Sequence, residues 1–433
     1  MSERKIWPRR YVLVALCFIA TFICYMDRVN ISVAVIALQQ EFGWGNTVKG
    51  FVLSSFFVGY LVMQVPAGII ANKLGGKIVL GFAVVWWSVF TMLTPAAASL
   101  SLIALIIVRI ALGLGEAATF PAVFSLYKNW VPAKERSRAV TLTLSGAHLG
   151  TLAALLLTGW VVDTFGWPMV FYLFGPLGFF WAIAWYFTVD GHPTTSKRIS
   201  RKEEALLAPL HADKKALSSV PWKSLLTEPA VYSLVISHFS ANWVMYMLVA
   251  WMPSYFHATQ GVSITGAALY SAAPYLTAFV VANISGSYAD WLLARGWSAT
   301  AVRKLMQSIG LLGSAVFLLL ARDVGSASEA LAYMCAALGL LTFTFSGTAS
   351  ATLEIAPRYS DVLSGISNTA GTLPGIIAVV ITGWLVDITG SYDAALALTA
   401  MVSMIGAAVW LIFGTAKNIL DEASPLASRD TSS

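Results

Sequence analysis

Apolar residues in this chain come in long unbroken runs. They cover roughly Tyr11–Leu38, Val48–Ala71, Ile78–Ala97, Leu102–Leu126, Ala139–Val162 and Met169–Val189. After a polar stretch from Asp190 to Glu228 they resume over Val231–Phe256, Ala267–Ala289, Leu305–Ala321, Ala330–Ala351, Val362–Val386 and Ala394–Phe413. Each is close to the ~20 residues with which a helix crosses a bilayer. A transmembrane β-barrel shows segments of about 10 residues that alternate apolar with polar; these runs are longer and do not alternate. The pattern predicts an all-α polytopic membrane protein with twelve transmembrane helices. A six-helix bundle spans residues 1–189, a cytoplasmic linker 190–228, a second six-helix bundle 229–416 and a disordered tail 417–433. Ser200-x-x-Glu203 reads as a capping box opening a short surface helix in the linker. The linker is expected to carry no chemistry.

Composition strengthens this picture. Of 433 residues, 58% are hydrophobic and 11% charged, against about 25% charged in soluble domains, so the lipid bilayer must be the main surroundings. A net charge of +6 in a soluble protein points to nucleic acid. In a membrane protein it reports orientation, because Lys and Arg collect in cytoplasmic loops. With both termini cytoplasmic, the 27 lysines and arginines all fall on that side except Lys49 and Arg322, opposite, and Arg28 and Arg109, inside spans. No nucleic-acid partner is expected, and the expected state is a monomer. No cleavable signal peptide is read, since the first run has full span length and lacks a small-residue cleavage site. Cys17, Cys24 and Cys335 fall inside apolar runs without CxxC or zinc spacing, and read as small buried hydrophobes.

The two halves repeat. TGWVVDTFG at Thr158–Gly166 recurs as TGWLVDITG at Thr382–Gly390; GIIANKLGGK from Gly68 has a counterpart in GSYAD from Gly286; VPAKERSR from Val131 faces APRYSDV from Ala356. Three landmarks about 220 residues apart mean a duplicated six-helix unit. Halves related by an axis along the membrane normal are the plan of many secondary transporters, with substrate at the midplane and alternating access by rocking.

Ionisable groups inside spans are expensive and each is a functional candidate. Asp27, Arg28, Arg109 and Glu116 lie well away from helix ends, all in the first half, whereas Asp163, Asp290, Glu354 and Asp387 sit near predicted ends. Asp27 and Arg28 are about 24 Å along helix one, and Glu116 lies two turns, about 10 Å, deeper than Arg109 on helix four. Asp27 and Arg28 point about 100° apart, so one faces a cavity while the other pairs with helix four; Asp27 with Arg109 matches in depth. A fixed Arg in low dielectric seats a carboxylate bidentately. A carboxylate walled in by apolar groups holds a proton where an exposed one does not. Together they are the minimal equipment of a proton–anion symporter; the alternative is two buried ion pairs that specify packing.

Uncharged candidates are weaker. His238, Asn242 and Tyr246 recur at i, i+4, i+8 on helix seven, and Tyr25, Asn30, Tyr60, Gln64, His148 and Asn368 are further polar residues within spans. They either bind substrate groups or bond neighbouring helices. The segments around Gly113–Gly115 and Ser145–Gly150 read as close-packing sites. No P-loop, dinucleotide fingerprint, HExxH or metal cluster is present in the sequence, so no ATP hydrolysis, metal site, cofactor or enzyme activity is predicted. The coupling ion expected is the proton.

The residues also carry a resemblance. YMDRVNISVA (Tyr25–Ala34), SSFFVGYLVMQVPAGIIANKLGGK (Ser54–Lys77), RIALGLGEAATFPA (Arg109–Ala122), WVPAKERSRA (Trp130–Ala139), HFSANWVMY (His238–Tyr246) and APRYSDVLSGISNTAGTLPG (Ala356–Gly375) resemble the major facilitator superfamily over nearly the whole chain. Within it they are similar to the anion:cation symporter family, which includes sialin, the vesicular glutamate transporters and bacterial sugar-acid transporters. The resemblance implies that Arg28 holds a substrate carboxylate, that Glu116 takes the proton, that Arg109 supports coupling, and that Asp27 also titrates, as in the bacterial members. There are departures. Leu112 stands where sialin has a second glutamate, Ala241 and Leu53 where the glutamate carriers have arginine and histidine, and Asn72 replaces the usual aspartate after helix two. Vesicular glutamate transport is therefore not expected. The Asp27–Arg28 pair, with the sequon Asn30-Ile-Ser32 unreachable inside a span, favours a bacterial inner (plasma) membrane protein.

The reading is a proton-coupled importer of a small organic anion, a sugar acid or other carboxylate. A proton-independent uniporter or exchanger using the same arginines is the alternative. A receptor that binds without flux comes third and a membrane enzyme last.

Overall fold

A computed structural model of the chain describes residues 7–196, 198–208 and 222–419. Twelve helical segments in it are long and apolar enough to cross a membrane, as the hydropathy runs predict. The first half contains α1 (Arg9–Phe42), α2 (Asn46–Leu74), α3 (Gly76–Leu100), α4 (Leu102–Glu116), α5 (Thr119–Trp130), α6 (Ala133–Phe165) and α7 (Trp167–Thr188). Short helices α8 (Arg201–Leu207) and α9 (Trp222–Thr227) lie in the linker. The second half contains α10 (Pro229–Gln260), α11 (Ile264–Ala294), α12 (Ala299–Leu320), α13 (Ala327–Leu341), α14 (Ser350–Ile355), α15 (Ser360–Thr389) and α16 (Asp393–Phe413). Two spans are each made of two pieces, α4 with α5 and α13 with α14. No strand occurs among the described residues. The middle of the linker, 209–221, and the tail beyond 419, predicted to be disordered, lie outside the described residues.

The chain packs as two compact units. One holds residues 1–216 and 250–272, the other 217–249 and 273–433. Large apolar side chains such as Leu100, Phe180 and Ile412 remain 79%, 68% and 68% exposed. Faces of this kind are stable against lipid rather than water.

The sequence repeat has a conformational basis. Gly166 (φ 84°) and Gly390 (φ 70°), the last residues of the repeated peptides, both close a helix with positive φ. Each donates its N–H to the carbonyl four residues back, Val162 and Val386 respectively. A side chain disfavours this backbone region, so glycine recurs at both places.

The two broken spans are also repeat-related. α4 stops at Glu116, and Ala117–Ala118 form a turn before α5. α13 stops at Leu341, the same distance before its loop, and the chain turns at Thr342. It then passes through a π-helical turn, Phe345–Ala349, in which Gly347 leaves helical geometry (φ −87°, ψ −105°). A broken helix in a membrane leaves backbone groups that water cannot reach, so protein groups must satisfy them. In the second unit α12 does so. Gln307 Oε1 accepts the Thr348 N–H at 3.1 Å and its hydroxyl at 3.2 Å, while Nε2 donates to Ser237 Oγ at 2.7 Å. Arg303 Nη1 donates to the Ser346 carbonyl at 3.0 Å, and its Nε and Nη2 reach Glu354 at 3.1 and 2.6 Å. Glu354, expected at a solvated helix end, is thus one half of a bidentate ion pair.

The linker contains the short helix that the Ser200-x-x-Glu203 pattern predicts, α8. Ser200 Oγ accepts the Glu203 N–H at 3.2 Å, as a helix N-cap does. The reciprocal bond of a capping box is replaced, because the Glu203 carboxylate turns to α1. It accepts the N–H groups of Arg9 and Arg10 at 2.9 and 3.0 Å and the Arg10 guanidinium at 3.2 Å. Arg10 also grips Glu135 at 2.8 and 3.2 Å. The first-turn N–H groups of α1 have no partner within their own helix, and a carboxylate beside them is favoured by the helix dipole.

Candidate functional site

The first unit gathers the intramembrane charges through glycine contacts. A Cβ at Gly113 of α4 would collide with the carbonyl of Phe56 on α2, and one at Gly59 of α2 with the carbonyl of Ile110 on α4. These two helices therefore touch backbone to backbone, which sets Phe56 and Tyr60 against Arg109 and Glu116. Gly146 and Gly150 of α6 approach the Phe18 and Phe22 carbonyls of α1 in the same way. The close-packing reading of both glycine segments holds.

Arg28 and Glu116 form the central ion pair. Arg28 Nε donates to Glu116 Oε2 at 3.0 Å, with the side chains 9% and 0% exposed. The Arg28 guanidinium carbon also lies over three aromatic rings, Tyr25 at 4.5 Å, Tyr60 at 4.8 Å and Phe56 at 4.9 Å. Cation–π contact of this kind is stronger away from water. The Phe56 ring has Arg109 over it too, at 5.6 Å. Glu116 is the last residue of α4, so its side chain stands at the break.

Asp27 and Arg109 are both buried, at 0% and 1% exposure. Among the described residues, neither Asp27 oxygen has a hydrogen-bond partner, nor do Arg109 Nε and Nη1. The hydrogen bond to helix four is therefore made by Arg28, while Asp27 and Arg109, matched in depth, face each other as charges without one. The reason is rotational. Arg28 and Cys24 share the face of α1 that meets the end of α4, while Asp27, about 100° away, turns to Arg109 and to Thr91 of α3. Asn30 is likewise buried with both side-chain atoms unpartnered among the described residues.

The other candidates divide. Tyr60 and Gln64 are half-buried on α2, Tyr60 against Arg28. In the second unit His238 Nδ1 meets Ser367 Oγ at 2.7 Å, and Asn242 Nδ2 donates to the Gly371 carbonyl at 2.7 Å. Both tie α10 to α15. Tyr246 is half-buried on α10 and Asn368 is exposed on α15. His148 bonds the Leu144 carbonyl of its own helix at 3.2 Å. The structure thus assembles Arg28, Tyr60, Asp27, Arg109 and Glu116 in one unit, and His238, Asn242, Tyr246 and Asn368 on two helices of the other.

A family model described as the Major Facilitator Superfamily matches residues 17–378. The chain belongs to that superfamily. Like other major facilitators it is a multi-pass membrane transporter, and its curated relatives are transporters as well. It is 41% identical to the chloroplastic ascorbate transporter of Arabidopsis thaliana over 96% of this chain and 76% of that one. It is 40% identical to the chloroplastic sodium-dependent phosphate transport protein 1 of the same plant, over 96% and 81%. Human sialin is 34% identical over 93% of this chain and 89% of its own. Two solved major facilitator structures share the fold. A D-xylose–proton symporter has a TM-score of 0.75 at 16% identity, covering 94% and 98% of the two chains. A bacterial homologue of the human lysosomal transporter Spinster, inward-facing and occupied, has a TM-score of 0.74 at 18% identity, covering 93% and 96%.

Sequence reasoning missed three groups around the Arg28–Glu116 pair: Phe56 against Arg28, Cys24 against Glu116, and Thr119 against Cys24. Phe56 was silent in a hydropathy reading because a cation's aromatic partner looks like any apolar residue. Thr119 sits just past a helix break whose signal is Pro121, which removes the N–H that the Ala117 carbonyl would accept. Cys24 could have been found, since it stands four residues before Arg28 and so on its face.

Proposed function

We propose that this transporter imports a small organic anion, a sugar acid or other carboxylate, together with protons, by alternating access. The observation that carries the reading is the buried Arg28–Glu116 pair at 3.0 Å. While Glu116 is ionised it neutralises Arg28. When Glu116 takes a proton, the guanidinium stays fixed in its aromatic surroundings without a counter-charge, and an uncompensated buried charge costs several kcal/mol. A substrate carboxylate removes that cost by bonding the Nη groups. Proton and anion therefore enter together. On release, loss of the proton restores the pair and displaces the anion.

We assign substrate recognition to Arg28, Tyr60 and Gln64 and to His238, Asn242, Tyr246 and Asn368, and proton coupling to Glu116 with Asp27 and Arg109. The excess of Lys and Arg on one side supports cytoplasmic termini, and the Asp27–Arg28 pair supports a bacterial inner membrane.

Uptake into proteoliposomes tests the reading. Labelled D-glucuronate, D-gluconate, N-acetylneuraminate, ascorbate and phosphate are offered with an imposed pH gradient, a sodium gradient or neither. The expected result is uphill accumulation of one carboxylate under the pH gradient alone, lost in Glu116→Gln while exchange of labelled for unlabelled substrate persists. If Glu116→Gln still accumulates substrate uphill, the proton role fails and the uniporter or exchanger replaces it.

A further inference from the structure

Cys24 is fully buried. Its Sγ lies 3.3 Å from Glu116 Oε2, the same oxygen that accepts Arg28 Nε–H at 3.0 Å. The sulfur is also 3.8 Å from Arg28 Nη2 and 3.8 Å from Thr119 Oγ1, both donors. The thiol hydrogen is thus directed to the carboxylate, and the sulfur lone pairs receive the guanidinium and the hydroxyl. Glu116 Oε1, by contrast, is buried with no hydrogen-bond partner among the described residues. One oxygen is held by two donors and the other is bare, so the vacant lone pairs for an added proton are on Oε1.

We propose that Cys24 is a positioning residue for Glu116: its S–H holds Oε2, directs the proton to Oε1 and sets the pH at which Glu116 loads and unloads. The proposal rests on the proton-coupling reading of Glu116. A thiol is a weak donor and a weak acceptor. It steadies the ionised carboxylate less than a hydroxyl does, and more than an alkyl group, which steadies it not at all. The other charged or titratable groups facing Glu116 are Asp27 and Arg28 on α1, Tyr60 on α2 and Arg109 on α4. Substitution at Cys24 leaves all of them in place.

The test reads proton binding and needs no substrate. Infrared difference spectra of the full-length protein in lipid are recorded across a pH titration, and the carboxylic C=O band abolished by Glu116→Gln gives the midpoint. Cys24→Ser and Cys24→Ala are expected to move that midpoint in opposite senses, each by roughly half a pH unit. The unsubstituted protein supplies a second readout: the S–H stretch assigned to Cys24 shifts as the C=O band appears, and does not shift in Glu116→Gln. A midpoint unchanged in both variants with an S–H band that ignores the titration overturns the proposal and leaves Glu116 as proton carrier. A titration with no band sensitive to Glu116→Gln overturns the proton reading itself, and this proposal with it.

Discussion

Replacing Arg28 with lysine separates charge from shape at the anion seat. Lysine keeps the positive charge, and its ammonium can still meet Glu116, so the buried pair survives. Losing the charge altogether would leave Glu116 uncompensated, at about 3–5 kcal/mol. What lysine loses is the fork. In the native pair Nε is engaged with Glu116 at 3.0 Å and Nη2 touches the weak acceptor Cys24 Sγ at 3.8 Å, which leaves Nη1 and the second hydrogen of Nη2 for an incoming carboxylate. A single ammonium cannot serve both partners in that geometry, so one charge-assisted hydrogen bond goes, worth about 1.5–3 kcal/mol. Stacking over Tyr25, Phe56 and Tyr60 weakens as well, but it is present with and without substrate and so lowers stability rather than affinity. The lost bond, about 1.5–3 kcal/mol, corresponds to roughly 10- to 150-fold weaker binding. The assay is calorimetric titration, in nanodiscs, of whichever carboxylate the uptake panel selects, beside a thermal melt to confirm that Arg28→Lys is folded. Affinity within about threefold of the native protein in a folded variant would refute Arg28 as the anion seat.

Two further substitutions probe the scaffold. Gln307→Leu strands the Thr348 N–H at the helix break and is expected to destabilise the protein by about 2–3 kcal/mol, read as a lower melting temperature in detergent. Gly113→Ala forces a methyl group into the Phe56 carbonyl and is expected to cost about 1–3 kcal/mol and to abolish uptake. Gly68→Ala, on the facing helix α2 but with open space around the new Cβ, leaves both unchanged and serves as its control.

The spans and the repeat were legible because both depend on patterns one helix long. Twenty apolar residues read the same whatever they pack against, and TGWVVDTFG against TGWLVDITG marks a duplication without any knowledge of contacts. The four intramembrane charges stood out for the same reason, since their expense is local. Their pairing was not legible. It depends on how far α1 is rotated against α4, and hence on backbone contacts such as Gly59 with Ile110 that lie on a third helix. The helix breaks were less legible: Ala117 and Ala118 are ordinary helix residues, marked only by Pro121 just beyond them, and Gly347 is one glycine among 33. The bonds that make the second break tolerable come from Gln307 and Arg303, on a different helix. Arg303 was read as a loop cation because one-dimensional counting cannot distinguish a charge that orients the protein from one that braces it.

The cap on α1 has a consequence for how the protein is made. The groups that need capping belong to Arg9 and Arg10, yet the carboxylate that caps Arg9 is 194 residues later in the chain. The first helix must enter the membrane with its leading turn unsealed and wait until the five further spans of the first half have followed. Completion of the first half is thereby registered at its very beginning, when Glu203 arrives and closes the turn. The linker acts as the fastener that ends one stage of assembly before the second half is laid down.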